Sequence, residues 1–400
     1  MFFGSQESLI GLDIGSASIK ILQLKKSKGK YKVERFGIKA LPAETIVDGS
    51  IMDGLEVVSA IKEISAEQRL KQKNVALSIS GTSVIVKKIS LPPMAEEDLE
   101  KQIKFEAEQY IPFDINDVYL DFHILNGEEH LAEGQQEMSV LLVATKKDKL
   151  NDYANAVREA GLVPKVVDVD AFAIENMYCV NYETLPGELT ALVNIGASVM
   201  NINILKGGSS AFTRDITIGG NRYTERLQQD LGLSFEEAEN AKKGRANGAD
   251  EAAISAAIAV VDMEVASEIG RSFDYFRTTS SYDDIARIVI SGGCAKINTL
   301  APRIAEHLSL ETVLGDPFRS LDITGLKMSP EEFADVAPCA AVVVGLALRR
   351  EETVDQDQSA SGRARHQKGR PQRGAVSTGR RPCRYFRARG LLWISLAGAL

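Results

Sequence analysis

The sequence predicts an α/β chain of two lobes facing a cleft, with a small βαββα unit inserted into the first lobe. Three observations carry this. A three-strand meander with a glycine turn after its first strand occurs twice, at the N-terminus and again from residue 189. Each meander is followed by helical periodicity, and residues 82–162 hold a strand–helix–strand–strand–helix pattern of their own.

The first meander runs through "SLIGLDIGS", "SIKILQLKK" and "YKVERFGIKAL", where apolar and polar positions alternate between turn residues. A helix through "GLEVVSAIKEISAEQRLK" follows, with Val57, Val58, Ile61, Ile64 and Leu70 on one face, and leads to the strand "NVALSIS". The inserted unit starts with the strand "SVIVKKISLP". Its first helix, in "AEEDLEKQIKFEAEQYI", has Leu99, Ile103, Ala107 and Tyr110 at helical spacing, Glu96, Glu97 and Asp98 in the first turn, and Pro112 as its stop. Strands "DVYLDFHIL" and "EMSVLLVAT", joined through the acidic hairpin loop "NGEEHLAEGQQ", and a helix "KDKLNDYANAVREAGL" complete it.

In the second half, "ELTALVNIGASVMNINILKGGSSAFTRDITIGG" repeats the meander, and helices through "NRYTERLQQDLG" and "SFEEAENAKKG" follow. A long Ala-rich helical stretch over 249–279 leads into the strand "RIVISGG" and a helix from Cys294 onward. The small residues Ala337, Ala340, Ala341 and Gly345 of "ADVAPCAAVVVGLALRR" permit close helix packing.

Composition narrows the class. With 44% apolar and 26% charged residues the chain reads as globular. No apolar stretch approaches the roughly 20 residues that span a bilayer, and "MFFGSQESLIGLDIG" does not read as a signal peptide. Four cysteines without CxxC spacing and four scattered histidines suggest neither a disulfide framework nor a zinc site, which fits a reducing, cytoplasmic setting. The ten Arg and Lys residues beyond position 358 leave the body with 37 basic against 55 acidic residues, which argues against nucleic acid as a partner. Residues 351–400 read as a disordered basic tail, and their abrupt change of composition as an extension without a part in the main function.

Chemistry concentrates at three glycine turns. In "GLDIGSASIK", a strand ending in Asp13 with Gly15, Ser16, Ala17 and Ser18 in the turn gathers backbone N–H groups around one point, as phosphate oxygens require. Asp13 can hold the water shell of Mg²⁺, and Lys20 has the reach to meet a β- or γ-phosphate. An ordinary hairpin with an exposed Asp and Lys is the plainer alternative. The second copy sets Asn194, Gly196, Ala197 and Ser198 in the matching places, and Gly219 and Gly220 close its meander. In "VISGGCAK", Gly292 and Gly293, followed by Cys294 and Lys296, allow a flat base or ribose to approach the backbone. Glu239, Lys242 and Lys243 of "EEAENAKKG" share a helical face that suits ribose or base contacts, or else a solvated charged surface.

In this order the motifs resemble the ATPase domain shared by actin, hexokinase and the heat-shock chaperones. Its plan is a first phosphate hairpin, a connecting helix after "VVDVDAFAIEN", a second phosphate hairpin, an adenosine Gly-Gly and a second connecting helix in "APCAAVVVGLALR". The inserted unit and its "KFEAEQYIPFDINDVYLDF" segment are similar to the PilM family of type IV pilus assembly proteins, whose architectural relative is the division protein FtsA. The resemblance implies the actin-like fold: two RNase H-like subdomains around a nucleotide cleft, with an inserted βαββα subdomain. It divides the chain into a first lobe (1–81, 163–187, 335–350), the insert (82–162), a second-lobe core (188–222, 268–334), a helical insertion (223–267) and the tail. It also implies ATP or ADP with Mg²⁺ as ligands. The implied partners are the N-terminal peptide of PilN, other pilus platform proteins and motor ATPases. Membrane association is then indirect, at the inner face of the inner membrane, and oligomerisation stays open.

Acids on the first connector and at the second hairpin serve hydrolysis in such ATPases, which points to Asp168 here, with Asp170 close by. At the second hairpin the family's Asp is Asn194. Asn hydrogen-bonds water but takes no proton, and a positioned base is worth roughly a hundred- to ten-thousand-fold in rate. The expectation is nucleotide binding with weak or absent turnover. An FtsA-like membrane-tethering protein, a small-molecule kinase of the same superfamily and a scaffold without nucleotide are the alternatives, the last disfavoured by the retained glycines.

Overall fold

The structure, a computed structural model, describes residues 9–27, 29–126, 137–245, 250–280 and 284–350. The hairpin loop expected at 126–136 falls almost wholly outside the described residues, as does the tail.

The first lobe opens with β1 (Ile10–Ile14), β2 (Ser18–Ser27) and β3 (Lys30–Ala40), followed by a short hairpin of β4 (Ile46–Val47) and β5 (Ser50–Ile51), α1 (Gly54–Glu67) and β6 (Asn74–Ile79). Asp53 caps α1 by accepting the backbone N–H of Glu56 at 3.0 Å. The insert contributes β7 (Val84–Leu91), α2 (Glu96–Ala107), β8 (Val118–Asn126), β9 (Met138–Lys146) and α3 (Lys147–Glu159). The chain then returns through β10 (Val163–Val169) and α4 (Asp170–Asn181). The lobe's sheet has the order β10-β6-β1-β2-β3, with the meander antiparallel and the other two strands parallel to β1.

The second lobe repeats this plan with β11 (Leu189–Ile195), β12 (Met200–Lys206) and β13 (Ser209–Ile216), then α5 (Gly220–Leu231), α6 (Phe235–Lys242), α7 (Glu251–Thr279), β14 (Arg287–Ser291), α8 (Leu300–Leu308) and β15 (Glu311–Leu314). Its order, β13-β12-β11-β14-β15, matches that of the first lobe strand for strand. A short α9 (Pro330–Val336), with a capping box between Ser329 and Glu332, leads into α10 (Ala341–Ala347).

Both helices expected over 147–162 and 249–279 are present, but they pack differently from the expected division of the chain. The apolar face of α3, Leu150, Tyr153, Ala154 and Val157, joins the first-lobe core with Val57, Ile61 and Leu77, whereas the insert's own core is built from α2 and its three strands. And α7 is one uninterrupted helix that serves two cores: Ile254 and Ala257 pack with Leu227 and Ala238 of the helical insertion, while Val261 to Phe276 pack on the second-lobe sheet. Periodicity locates a helix but not the neighbour its face meets.

The two connecting helices, α4 and α10, cross beneath the cleft. At Gly345 of α10 an added Cβ would overlap the carbonyl of Ala173, and at Gly11 it would overlap that of Val343, so both glycines mark backbone-to-backbone approach. Among the described residues no helix is long and apolar enough to cross a membrane.

Candidate functional site

The cleft between the lobes has a volume of about 1340 Å³. Its floor is the two glycine turns. In the first, Gly15 N–H donates to the Ser18 carbonyl at 3.1 Å; in the second, Gly196 N–H donates to the Val199 carbonyl at 2.9 Å. The same bond closes a four-residue turn in each lobe, and it fixes the same register below it. Asp13 lies directly opposite Lys20, and Asn194 directly opposite Asn201. One jaw therefore carries an ion pair where the other carries an amide pair.

The ion pair is buried. Lys20 Nζ stands 2.9 Å from Asp13 Oδ2, with both side chains about one-tenth exposed. Burial pushes the Lys20 ammonium toward losing its proton, but the Asp13 carboxylate outweighs it, so the lysine's pKa is raised and its charge secured. Gly15, Ser16, Ala17, Ser18, Gly196, Ala197 and Ser198 all line the cleft around this pair.

Asp168 is a correction. Its carboxylate, 1% exposed, accepts from Arg349 Nε at 2.6 Å and from the N–H of Val169 at 2.8 Å, and it is not among the cleft-lining residues. It ties the end of α10 to β10. The acid that faces the cleft is Asp170, two residues on, at the start of α4. Ser78 Oγ donates to Asp170 Oδ1 at 2.6 Å. Burial, and then the charge of Asp13, push the Asp170 carboxyl up to about 7.

That shift sets a pH dependence. Between about pH 4 and 7 the folded chain keeps a proton on Asp170 that the unfolded chain has released, so this group makes stability fall as pH rises through that window. Asp170→Asn is therefore expected to gain stability relative to the native chain on going from about pH 5 to pH 8. Urea midpoints at the two pH values check this, and parallel curves for the two proteins would contradict it.

On the far side of the cleft, Glu239 and Lys242 are largely buried and not part of a solvated face, whereas Lys243 is exposed. Lys242 Nζ donates to the Gly220 carbonyl at 3.1 Å and to Thr224 Oγ1 at 2.8 Å, and pairs with the Glu239 carboxylate; Lys243 adds a second pair to Glu239 at 3.3 Å. Burial works against the Glu239 charge, but Lys242 outweighs it and holds the carboxyl below its usual range. Gly220, Gly292, Gly293, Cys294 and Lys296 complete this wall. Gly292 has φ +91°, and an added Cβ would meet the backbone of Ile195. Burial pushes the Cys294 thiol up to about 12, which makes it a packing group rather than a nucleophile. Lys296 is tied to Asp335 at 2.8 Å. Gly219 does not line the cleft. It lets the start of α5 dock on the second turn, where Gly220 N–H meets the Gly196 carbonyl at 3.0 Å and Asn221 N–H the Ala197 carbonyl at 2.8 Å.

The site fits a nucleotide whose metal arrives with it. Gly15, Gly196, Gly292 and Gly293 line the cleft, a fixed cation lies at its floor, and among the described residues no group of three or more His, Cys, Asp or Glu could hold a metal alone. Mg²⁺ bound through phosphates and water needs no such cage. Sequence reasoning missed Thr224 and Asn201. The seven-residue separation of Asn194 and Asn201, equal to that of Asp13 and Lys20 across an equal turn, was the available signal for Asn201.

The comparisons agree with this architecture. The family model described as type IV pilus assembly protein PilM matches residues 11–351. A solved PilM-PilN type IV pilus biogenesis complex is 26% identical, with a TM-score of 0.76 over 86% of this chain and 98% of that one. The ethanolamine utilization protein EutJ from Carboxydothermus hydrogenoformans shares the fold at 15% identity, with a TM-score of 0.52 over 86% of this chain and 90% of that one. The cell division protein FtsA of Bacillus subtilis (strain 168) is 22% identical over 259 residues, 60% of this chain and 58% of its own length, so the match spans little more than half of that relative.

Proposed function

Since the chain belongs to the type IV pilus assembly protein PilM family and has the actin-like fold, we propose that it binds ATP with Mg²⁺ in the interlobe cleft and works as the nucleotide-responsive cytoplasmic member of the pilus assembly platform. The observation that carries this reading is the pair of matched glycine turns facing each other across the cleft, with the buried Asp13–Lys20 pair at the floor of one. The first turn and Lys20 would hold phosphates, Asp13 the water shell of the metal, and the Gly292–Lys296 segment with Glu239, Lys242 and Lys243 the nucleoside.

Turnover is proposed to be slow or absent. The Asn194 carboxamide is already engaged by Ser291 and Asn201, and Asp170, protonated over much of its range, is a weak base below pH 7. Brisk single-turnover hydrolysis that disappears on changing Asp13 or Lys20 would overturn this part.

The partner we propose is the N-terminal cytoplasmic peptide of PilN, which would hold the chain at the inner membrane. A second hollow of about 380 Å³ suits a peptide. It is lined by Val84 to Lys87, Tyr110 and Pro112 of the insert, Val169 and Ala171 of the first lobe, and Thr213 to Asp215 of the second. β7 and β13 are end strands of their sheets, so each offers an edge for extended backbone among the described residues. A labelled PilN N-terminal peptide should bind the native chain in fluorescence anisotropy and lose at least about tenfold in affinity with Ile85→Asp, the size expected when an apolar anchor is replaced by a charge. Equal affinity for both would place the peptide elsewhere.

A further inference from the structure

A row of side chains runs across four adjacent strands of the second lobe and leaves it for the first. Ser291, Asn194, Asn201 and Asp215 stand directly opposite one another in register on β14, β11, β12 and β13. Ser291 Oγ donates to Asn194 Oδ1 at 3.2 Å, Asn194 Nδ2 to Asn201 Oδ1 at 3.1 Å, and Asn201 Nδ2 to Asp215 Oδ1 at 2.8 Å. The other oxygen, Asp215 Oδ2, accepts the backbone N–H of Gly81 at 2.6 Å. Gly81 belongs to the first lobe, has φ +87°, and its carbonyl accepts Val84 N–H at the first residue of β7. The row thus starts at the second glycine turn of the cleft and ends where the chain turns into the insert. Asp215 and Val84 both line the smaller hollow.

The row has a direction. Both oxygens of Asp215 are occupied as acceptors, whereas a carboxamide accepts at one end and donates at the other. Asp215 accepts from both Asn201 and Gly81, so Asn201 must point its Nδ2 at β13 and its Oδ1 at β11. Residue 194 is then required to donate. An Asp there would face the Asn201 oxygen, or, if Asn201 turned over, would force that oxygen against Asp215. Asn194 is the residue that an acid at 215 demands.

On the reading that the cleft holds nucleotide and the hollow the PilN peptide, we propose that this row is the coupling element between them, with its single acid placed at the groove end instead of the cleft end. A shift of the second turn around phosphates changes the Asn194 contact, and the following bonds shift with it because each amide's donor and acceptor ends are fixed by its neighbours in the row.

A double-mutant cycle tests the row. Asn194→Asp alone should lower the urea midpoint clearly. In the Asp215→Asn background the same change should cost little, because the row then reverses. The new carboxylate at position 194 accepts from Ser291 and Asn201, the freed Asn201 Oδ1 accepts from the new amide at position 215, and that amide's oxygen accepts from Gly81. An equal cost in both backgrounds overturns the proposal. The transmission is read separately, as the ratio of PilN-peptide affinities with and without saturating Mg·ATP. It should be at least about fivefold in the native chain, fall toward one in Asn194→Asp, and return in the double variant. A ratio near one in the native chain with both ligands bound overturns the coupling. If the peptide does not bind at all, the proposed partner falls, and the urea cycle still decides the row.

Discussion

Lys20→Met is expected to abolish nucleotide binding and to destabilise the first lobe by about 3 kcal/mol, the lower end of the cost of orphaning a buried charge, since the cleft brings water near. Removing the ammonium leaves the Asp13 carboxylate buried without its partner. Two effects are mixed in that result, and a second variant separates them. In Asp13→Asn/Lys20→Met no charge is left unpaired, so most of the stability should return while nucleotide binding stays lost. Urea unfolding of the three proteins, set beside equilibrium titration with Mg·ATP, reads both. Binding that survives in either variant would remove Lys20 from the phosphate site.

Gly345→Val is expected to give little folded protein, with a loss of about 3 kcal/mol or more. Overpacking usually costs about 1–3 kcal/mol because side chains turn aside. Here the obstacle is the Ala173 backbone, which cannot turn, so α10 and α4 must separate. Around that crossing lie Ala341, Val343, Val344 and Leu346, all buried, and the separation would expose them together. Gly54→Ala is the matching control. An added Cβ at Gly54, the first residue of α1, meets nothing within 4 Å, so it should be neutral or stabilising by about 0.5–1 kcal/mol through helix propensity. Thermal melts of the two variants should move in opposite directions; a folded Gly345→Val with a native melting temperature would mean that α10 and α4 do not depend on their backbone-to-backbone approach.

The doubled plan was legible in the sequence because it is written locally. Alternation marks the strands of both meanders, and Gly15 and Gly196 mark turns whose closing bonds need a close backbone. What stayed hidden depends on partners far along the chain. Asp168 and Asp170 lie two residues apart, and only Arg349, 181 residues from Asp168, shows which of them is taken by the scaffold. Likewise, helical spacing put Glu239 and Lys242 on one face, but their burial comes from α5, through Thr224 and Gly220. The row from Asn194 to Gly81 closes over a gap of 134 residues between Asp215 and Gly81, beyond any periodic signal. Strands β4, β5 and β15 are two to four residues long, too short for alternation to be read.

Asn194 illustrates the difference between a position and its surroundings. Compared with Asp13 it looks like a lost acid. Within its own sheet it is the donor that Asn201 and Asp215 require, and it lies opposite Asn201 as Asp13 lies opposite Lys20. The first jaw keeps its charge at the cleft floor; the second has its carboxylate two strands away, at the border with the insert.

Equilibrium titration of the chain with ATP in the presence of Mg²⁺, repeated on Asp13→Asn/Lys20→Met, tests the central claim most directly. The account predicts saturable binding at one site per native chain and none in the double variant, with native-like urea unfolding for both. Absence of binding to the native chain, or equal binding to the variant, would contradict it.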